Sequence, residues 1–115
     1  LIEHKKLGSI PTFDNDVNLS AHAVSPDIYE IVHEDELIKV YTATFPAGSS
    51  DNVHEHGMNT AYVITGGKVE ITGADGSVNE RNIPDGAVLH SDKMVRHQVK
   101  NIGKTDIKVL LAEYK

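Results

Sequence analysis

Alternation of apolar and polar positions begins at Ile28 and continues to Tyr114. Ile28 to His33 and Leu37 to Phe45 flank the acidic triplet Glu34-Asp35-Glu36, a pattern that predicts a hairpin. The second of these runs, L-I-K-V-Y-T-A-T-F, is largely apolar on both faces, which predicts burial on both sides or one face given to an interface. Pro46-Ala47-Gly48 breaks it. Thr60 to Thr65 and Lys68 to Thr72 flank Gly66-Gly67, which predicts a tight hairpin, because type I′ turns need positive φ at both centres. Gly73-Ala74-Asp75-Gly76 and Pro84-Asp85-Gly86 read as turns, not as calcium loops. Ser77 to Ile83 between them is polar, as an edge strand is. Ala87 to His90 is short and apolar. Met94 to Asn101 alternates most cleanly, with Val95, His97 and Val99 on one face and Arg96, Gln98 and Lys100 on the other. Asp106 to Tyr114 closes the pattern, with Ile107, Val109 and Leu111 on one side.

Residues 1 to 27 are less regular. Pro11, Asn15, Asp16, Asn18, Ser25 and Pro26 punctuate them. They predict an extended arm with one short strand near Asn18 to Val24, packed on the domain or crossing to a second subunit. His4 and His22, in this arm, read as exposed polar residues, and His33 as a solvated turn residue. The expectation is nine or ten short strands and no convincing helix. With turns about every 8–12 residues this is an all-β sandwich or barrel, and a double-sheet jelly roll suits the size.

Length and composition narrow the functions. A chain of 115 residues suits one domain with a real core. There are no cysteines, so disulfides and thiolate metal sites are excluded. A formal charge of -6 without a Lys/Arg block argues against nucleic acid. No apolar run approaches the ~18–20 residues of a membrane helix. The chain opens on Leu1, as a processed or trimmed protein does. A cytoplasmic location is the default expectation, and a leader cleaved on export would leave the same sequence.

The candidate chemistry lies in histidine. His54 and His56 are two residues apart, so on a strand they share a face, as two ligands of one metal must. Seven histidines would give about 0.4 such pairs by chance, so the pair alone is weak. Context adds the weight. Gly48, five residues, His54-Glu55-His56 and then Tyr62-Val63-Ile64-Thr65-Gly66 follow one pattern; Gly86, His97 and Asn101 follow a second at matching offsets. Jointly these resemble the two motifs of the cupins, over Leu37 to Tyr114. The resemblance implies a cupin-type double-stranded β-helix, a jelly-roll barrel over residues 28–115, with a metal held inside by His54, His56 and His97. It also implies that the arm of residues 1–27 takes part in dimer contacts.

Two departures from the pattern bear on chemistry. The family's usual glutamate ligand falls on Asn59 or Thr60, neither a carboxylate, and Glu55 alternates away from its neighbours. Asp92 and Met94 occupy the proline and glycine positions of the second motif. A three-histidine site is therefore expected, with Asn59 a weaker candidate for a further ligand or a water partner. Three neutral imidazoles would leave a divalent ion its full charge and open positions, and they suit Fe, Zn, Ni, Mn or Cu without choosing among them. The resemblance implies a metal-dependent enzyme, dioxygenase-like or lyase/isomerase-like, acting on a small organic molecule; the alternative is a non-catalytic cupin that binds metal or a small ligand. His90 is a candidate proton shuttle and Tyr62 a candidate acid/base phenol. Tyr41 reads as a packing residue and Arg96 as a surface charge. The partners expected are a small-molecule ligand and a second copy of the chain in a homodimer, with no nucleic acid and no membrane.

Overall fold

The computed structural model describes residues 19–115. His4 and most of the expected arm lie outside the described residues. Among those described, nine strands form two antiparallel sheets facing each other. Five strands run in the order β1-β2-β9-β4-β7 and four in the order β3-β8-β5-β6. The strands are β1 (Tyr29–Glu34), β2 (Ile38–Phe45), β3 (His54–His56), β4 (Asn59–Thr65), β5 (Gly67–Gly73), β6 (Val78–Ile83), β7 (Val88–Ser91), β8 (Val95–Asn101) and β9 (Ile107–Tyr114). This is the double-stranded β-helix. No helix among the described residues is long and apolar enough to cross a membrane.

Most expected strands appear within a residue or two of their predicted bounds, because alternation encodes them directly. The β1–β2 hairpin forms as expected, and Asp35 explains how. Its carboxylate accepts the backbone N–H of Leu37 at 2.8 Å and of Ile38 at 3.0 Å, closing the turn. The β5–β6 hairpin also forms, with Gly76 at φ +85° and the Ser77 N–H on the Asp75 carboxylate at 2.9 Å. β6 is an edge strand, exposed along most of its length.

The Gly66-Gly67 expectation is overturned. β4 pairs with β7 and β9, and β5 with β6 and β8, so the two strands lie in different sheets. The glycines turn a corner between sheets, and neither has positive φ. Gly66 is required for another reason: a Cβ there would collide with the backbone carbonyl of Ile83. Its N–H is held by the Asp85 carboxylate at 2.6 Å.

The start of the described chain also differs from expectation. Ser20 forms one bridge to Glu55, and Ala21–Val24 forms a single helical turn, α1, in place of a strand. Ala21 is fully buried in the core, which ties this segment to the barrel. His22, expected to be exposed, is half-buried with its ring 5.8 Å from that of Tyr41.

The core lies between the sheets. Tyr41, Ala43 and Phe45 of β2 face inward, beside Ile107 and Leu111 of β9, Ala61 of β4 and Val69 of β5. The opposite faces of β2, β9, β4 and β7 stay partly open. Tyr62, Ile64, Val88 and Leu110 are exposed there, and the outer residues of β2 are half-buried. Asn101, the motif asparagine, is fully buried and stitches the barrel. Its amide donates to the carbonyls of Phe45 and Thr105 at 2.9 and 2.8 Å, and its oxygen accepts the Gly103 N–H at 2.9 Å.

Candidate metal centre

The pairing of β3 with β8 builds the site. His54 lies directly opposite His97, and His56 two residues along lies opposite Val95. Alternation puts all three imidazoles on the inner face. Glu55 and Arg96 occupy the other face and form an ion pair, with Arg96 Nε 2.7 Å from the Glu55 carboxylate. Arg96 is therefore half-buried and paired, not a free surface charge. The ring centroids lie 4.5 Å apart for His54 and His56, 4.7 Å for His54 and His97, and 5.5 Å for His56 and His97. One ring nitrogen from each lies within 4.8 Å of the others.

The outer nitrogens are already engaged, which fixes what the inner ones can do. His54 Nδ1 lies 2.9 Å from the Asn52 carbonyl and 3.3 Å from the Asp51 carboxylate. A donor at Nδ1 leaves Nε2 as the lone-pair nitrogen. His56 Nδ1 lies 3.2 Å from a carboxylate oxygen of Glu113, with the same consequence. Burial, reinforced by the neighbouring His56, lowers the pKa of His54 to about 3 and of His97 to about 4. Both rings are thus neutral at physiological pH, the state a metal requires. Three converging imidazoles, two oriented from behind by a carbonyl and a carboxylate, are a donor set that would hold a divalent transition metal.

Glu113 was not legible as a site residue. It comes from β9, at the far end of the chain, and pairs in register with Asn59. Its second oxygen accepts the Gly57 N–H at 2.9 Å. Burial pushes its pKa up, but the hydrogen bonds from His56 and Gly57 and the nearby positive charges outweigh this, and it is held below the usual range. A carboxylate thus sits beside the strand position where the motif glutamate was missed, supplied by a different strand. Tyr29 and Asp51 were also missed. The Tyr29 phenol donates to the buried Asp51 carboxylate at 2.7 Å and lies 3.5 Å from His54 Nε2. Burial raises the Asp51 pKa to about 6, against hydrogen bonds from Val99 and Tyr29 that pull it down.

His56 and His97 open onto a cavity of about 310 Å³ between the sheets. His56, His97, Tyr29 and Asn59 lie on its wall, and most of the rest is apolar, including Val69, Ile71, Val99 and Leu111. Asn59 is buried, and its amide nitrogen donates to the Gly57 carbonyl at 2.8 Å. His90, on the short strand β7, borders the cavity at its rim; it is exposed, pairs in register with Thr60 and has Nδ1 2.7 Å from the Thr60 hydroxyl, so its side chain lies on the outer face. Tyr62 is half exposed and lies between buried Ala61 and Val63, so its ring projects from the outer face, away from the imidazoles.

The fold and the site together define a double-stranded β-helix barrel carrying three convergent histidines. Comparison with known proteins agrees. No protein-family model matches the chain, and no curated protein does. Among solved structures, an RmlC-like cupin protein from Desulfovibrio desulfuricans is 30% identical, covering 90% of this chain and 97% of that one, with a TM-score of 0.57. A cupin domain from Bordetella pertussis Tohama I is 24% identical, covers 76% and 92%, and has a TM-score of 0.70. An RmlC-like cupin family protein with a double-stranded β-helix fold from Methanocaldococcus jannaschii is 15% identical, covers 90% and 86%, and has a TM-score of 0.63. The latter two speak to the fold alone. The chain belongs to the RmlC-like cupin family.

Proposed function

We propose that this cupin holds one divalent transition metal on His54, His56 and His97 and acts as a metal-dependent enzyme, dioxygenase-like or lyase/isomerase-like, on a small organic molecule. The observation that carries the reading is the convergence of three imidazoles, two of them on the wall of a largely apolar cavity. Three protein ligands leave positions for substrate, and the ion supplies Lewis acidity, undiminished by ligand charge. The chain's own residues orient and enclose. Glu113 and the Asn52 carbonyl fix the rings, and the apolar walls exclude water. Asn59 is the proposed further ligand or water partner. Of the two proton-handling candidates, His90 borders the cavity at its rim, while its register with Thr60 puts its side chain on the same outer face as Tyr62, so facing does not separate them.

Metal analysis of anaerobically purified protein tests the metal reading. One ion retained by the wild type and lost in His97→Ala is expected; no retention of Fe, Zn, Ni, Mn or Cu by the wild type refutes it. Dioxygen uptake or product formation across carbonyl and thiol compounds then tests the enzymatic reading. A specific observation favours a non-catalytic ligand-binding cupin as the second reading. The carboxylates nearest the site are committed, Glu113 to His56 and Gly57, and Asp51 to Tyr29 and Val99. That reading predicts a ligand retained through purification with no turnover.

The open face of the five-stranded sheet supports a homodimer. Tyr62, Ile64, Val88 and Leu110 form an exposed apolar surface there. Light scattering on Leu110→Glu should read a monomer where the wild type reads a dimer. A monomeric wild type refutes this.

A further inference from the structure

One cavity residue is unexplained by a metal site. Arg81 lies on the edge strand β6, directly opposite Val69. Val69 is 1% exposed and faces the interior, so the pairing puts Arg81 on the same inward side. Arg81 lines the cavity and remains exposed at its mouth. Its neighbours there, Ile71, Ile83 and Val99, are apolar. Among the described residues no carboxylate pairs with it. Lys68 is taken by Glu80, Arg96 by Glu55 and Lys115 by Glu34, while Arg81 has no such partner.

This is unusual for the chain. Seventeen acidic residues face eleven basic ones, so an unpaired guanidinium turned toward an apolar cavity is not a shortage of anions elsewhere. A guanidinium presents a planar fork of donors that matches a carboxylate through two parallel hydrogen bonds. The low-dielectric wall beside it strengthens such a pair over one in water. The register sets the span. Gly73 of β5 lies opposite His97, and Val69, four residues away on β5, lies opposite Arg81 one strand further. At standard strand spacings the backbones of Arg81 and His97 are about 16 Å apart. With both side chains reaching inward, the remaining gap suits a short organic molecule.

We propose that Arg81 anchors the carboxylate of a small, otherwise apolar organic acid whose body fills the cavity toward His54, His56 and His97. The inference rests on the reading of the cavity as the ligand site and names the chemistry of the ligand. The guanidinium binds and orients the acid from the mouth, and the aliphatic walls select against polar bodies of the same charge.

Isothermal titration calorimetry with hexanoate, on metal-free and on zinc-loaded protein, tests it. Hexanamide and acetate serve as neutral and body-less controls. Hexanoate should bind both forms of the wild type and outcompete each control. Arg81→Gln should weaken hexanoate binding about 10- to 100-fold and leave hexanamide unchanged, with Arg81→Lys intermediate. Arg81 is on an exposed edge, and unchanged urea midpoints of the variants establish that they fold. Equal hexanoate affinity in wild type and Arg81→Gln overturns the proposal. So does equal binding of hexanamide and hexanoate, or no binding of hexanoate to either form. Arg81-dependent binding to metal-free protein that retains no zinc would sink the metal reading and leave this one standing. Zinc retention with Arg81-independent hexanoate binding would do the reverse.

Discussion

Replacing Glu113 by glutamine tests how the histidines are held. In the wild type two donors converge on this side chain: His56 Nδ1–H reaches one oxygen at 3.2 Å and Gly57 N–H the other at 2.9 Å. Glutamine has one acceptor and one donor group, so it can satisfy only one of the two and turns an NH2 toward the other. A charge-assisted bond is lost in a buried setting, and such bonds contribute roughly 1.5–3 kcal/mol. Loss of an outer partner of a metal-bound histidine lowers metal affinity about 10- to 100-fold, or about 1.4–2.7 kcal/mol. Zinc affinity measured by competition with a chromogenic chelator should fall within that range in Glu113→Gln. Nitrogen chemical shifts of the His56 ring should show a changed proton distribution between Nδ1 and Nε2. A merely structural role for Glu113 would lower the urea midpoint without moving the tautomer. Zinc affinity within twofold of wild type, with an unaltered His56 ring signal, would refute the reasoning.

Three further outcomes follow from the geometry. Asn101→Ala removes one acceptor and two donated bonds from a fully buried position, and unfolding in urea should show a loss of about 2–4 kcal/mol; under 1 kcal/mol would contradict the stitching role. Gly66→Ala forces a methyl against the Ile83 backbone, so a loss of about 1–3 kcal/mol is expected, and a stable variant would mean that the sheet-to-sheet corner can shift. Metal-free protein should lose stability on acidification from about pH 6.5 to 4.5. His54 and His97 have folded pKa values below the unfolded value of about 6.5, so in this window the unfolded chain binds their protons and stability rises with pH. Asp51, raised to about 6, works against them below pH 6, because its proton is bound only in the folded state between about pH 4 and 6. Two histidines against one carboxyl leave about one net proton, on the order of 2 kcal/mol over the window. A urea midpoint that rises on acidification would overturn this assignment.

The strands, the hairpin at Asp35, the polar edge strand and the shared face of His54 and His56 were legible along the chain, because a period of two is a local property. So was His97, since its alternation with Val95 and Val99 marks an inward face without knowledge of what lies opposite. The Gly66-Gly67 corner was not. A tight hairpin and a passage between sheets both place glycine between alternating runs, and only the pairing partners of β4 and β5 distinguish them. The helical turn at Ala21–Val24 was hidden because one turn is too short to show a helical period.

The division at the site has the same origin. Residue type and spacing determined which side chains could act as ligands, and composition excluded thiolate ligands outright. Tertiary structure decided their company. Glu113 stands behind His56 because β9 pairs with β4, Asp51 stands behind His54 and is itself bonded by Tyr29 from the cavity wall, and Arg81 faces the cavity because β6 pairs with β5. Glu113 is 57 residues from His56 and Tyr29 is 22 from Asp51, and strand pairing and sheet packing, which no local pattern carries, brought them together, whereas Asp51 meets His54 from three residues away.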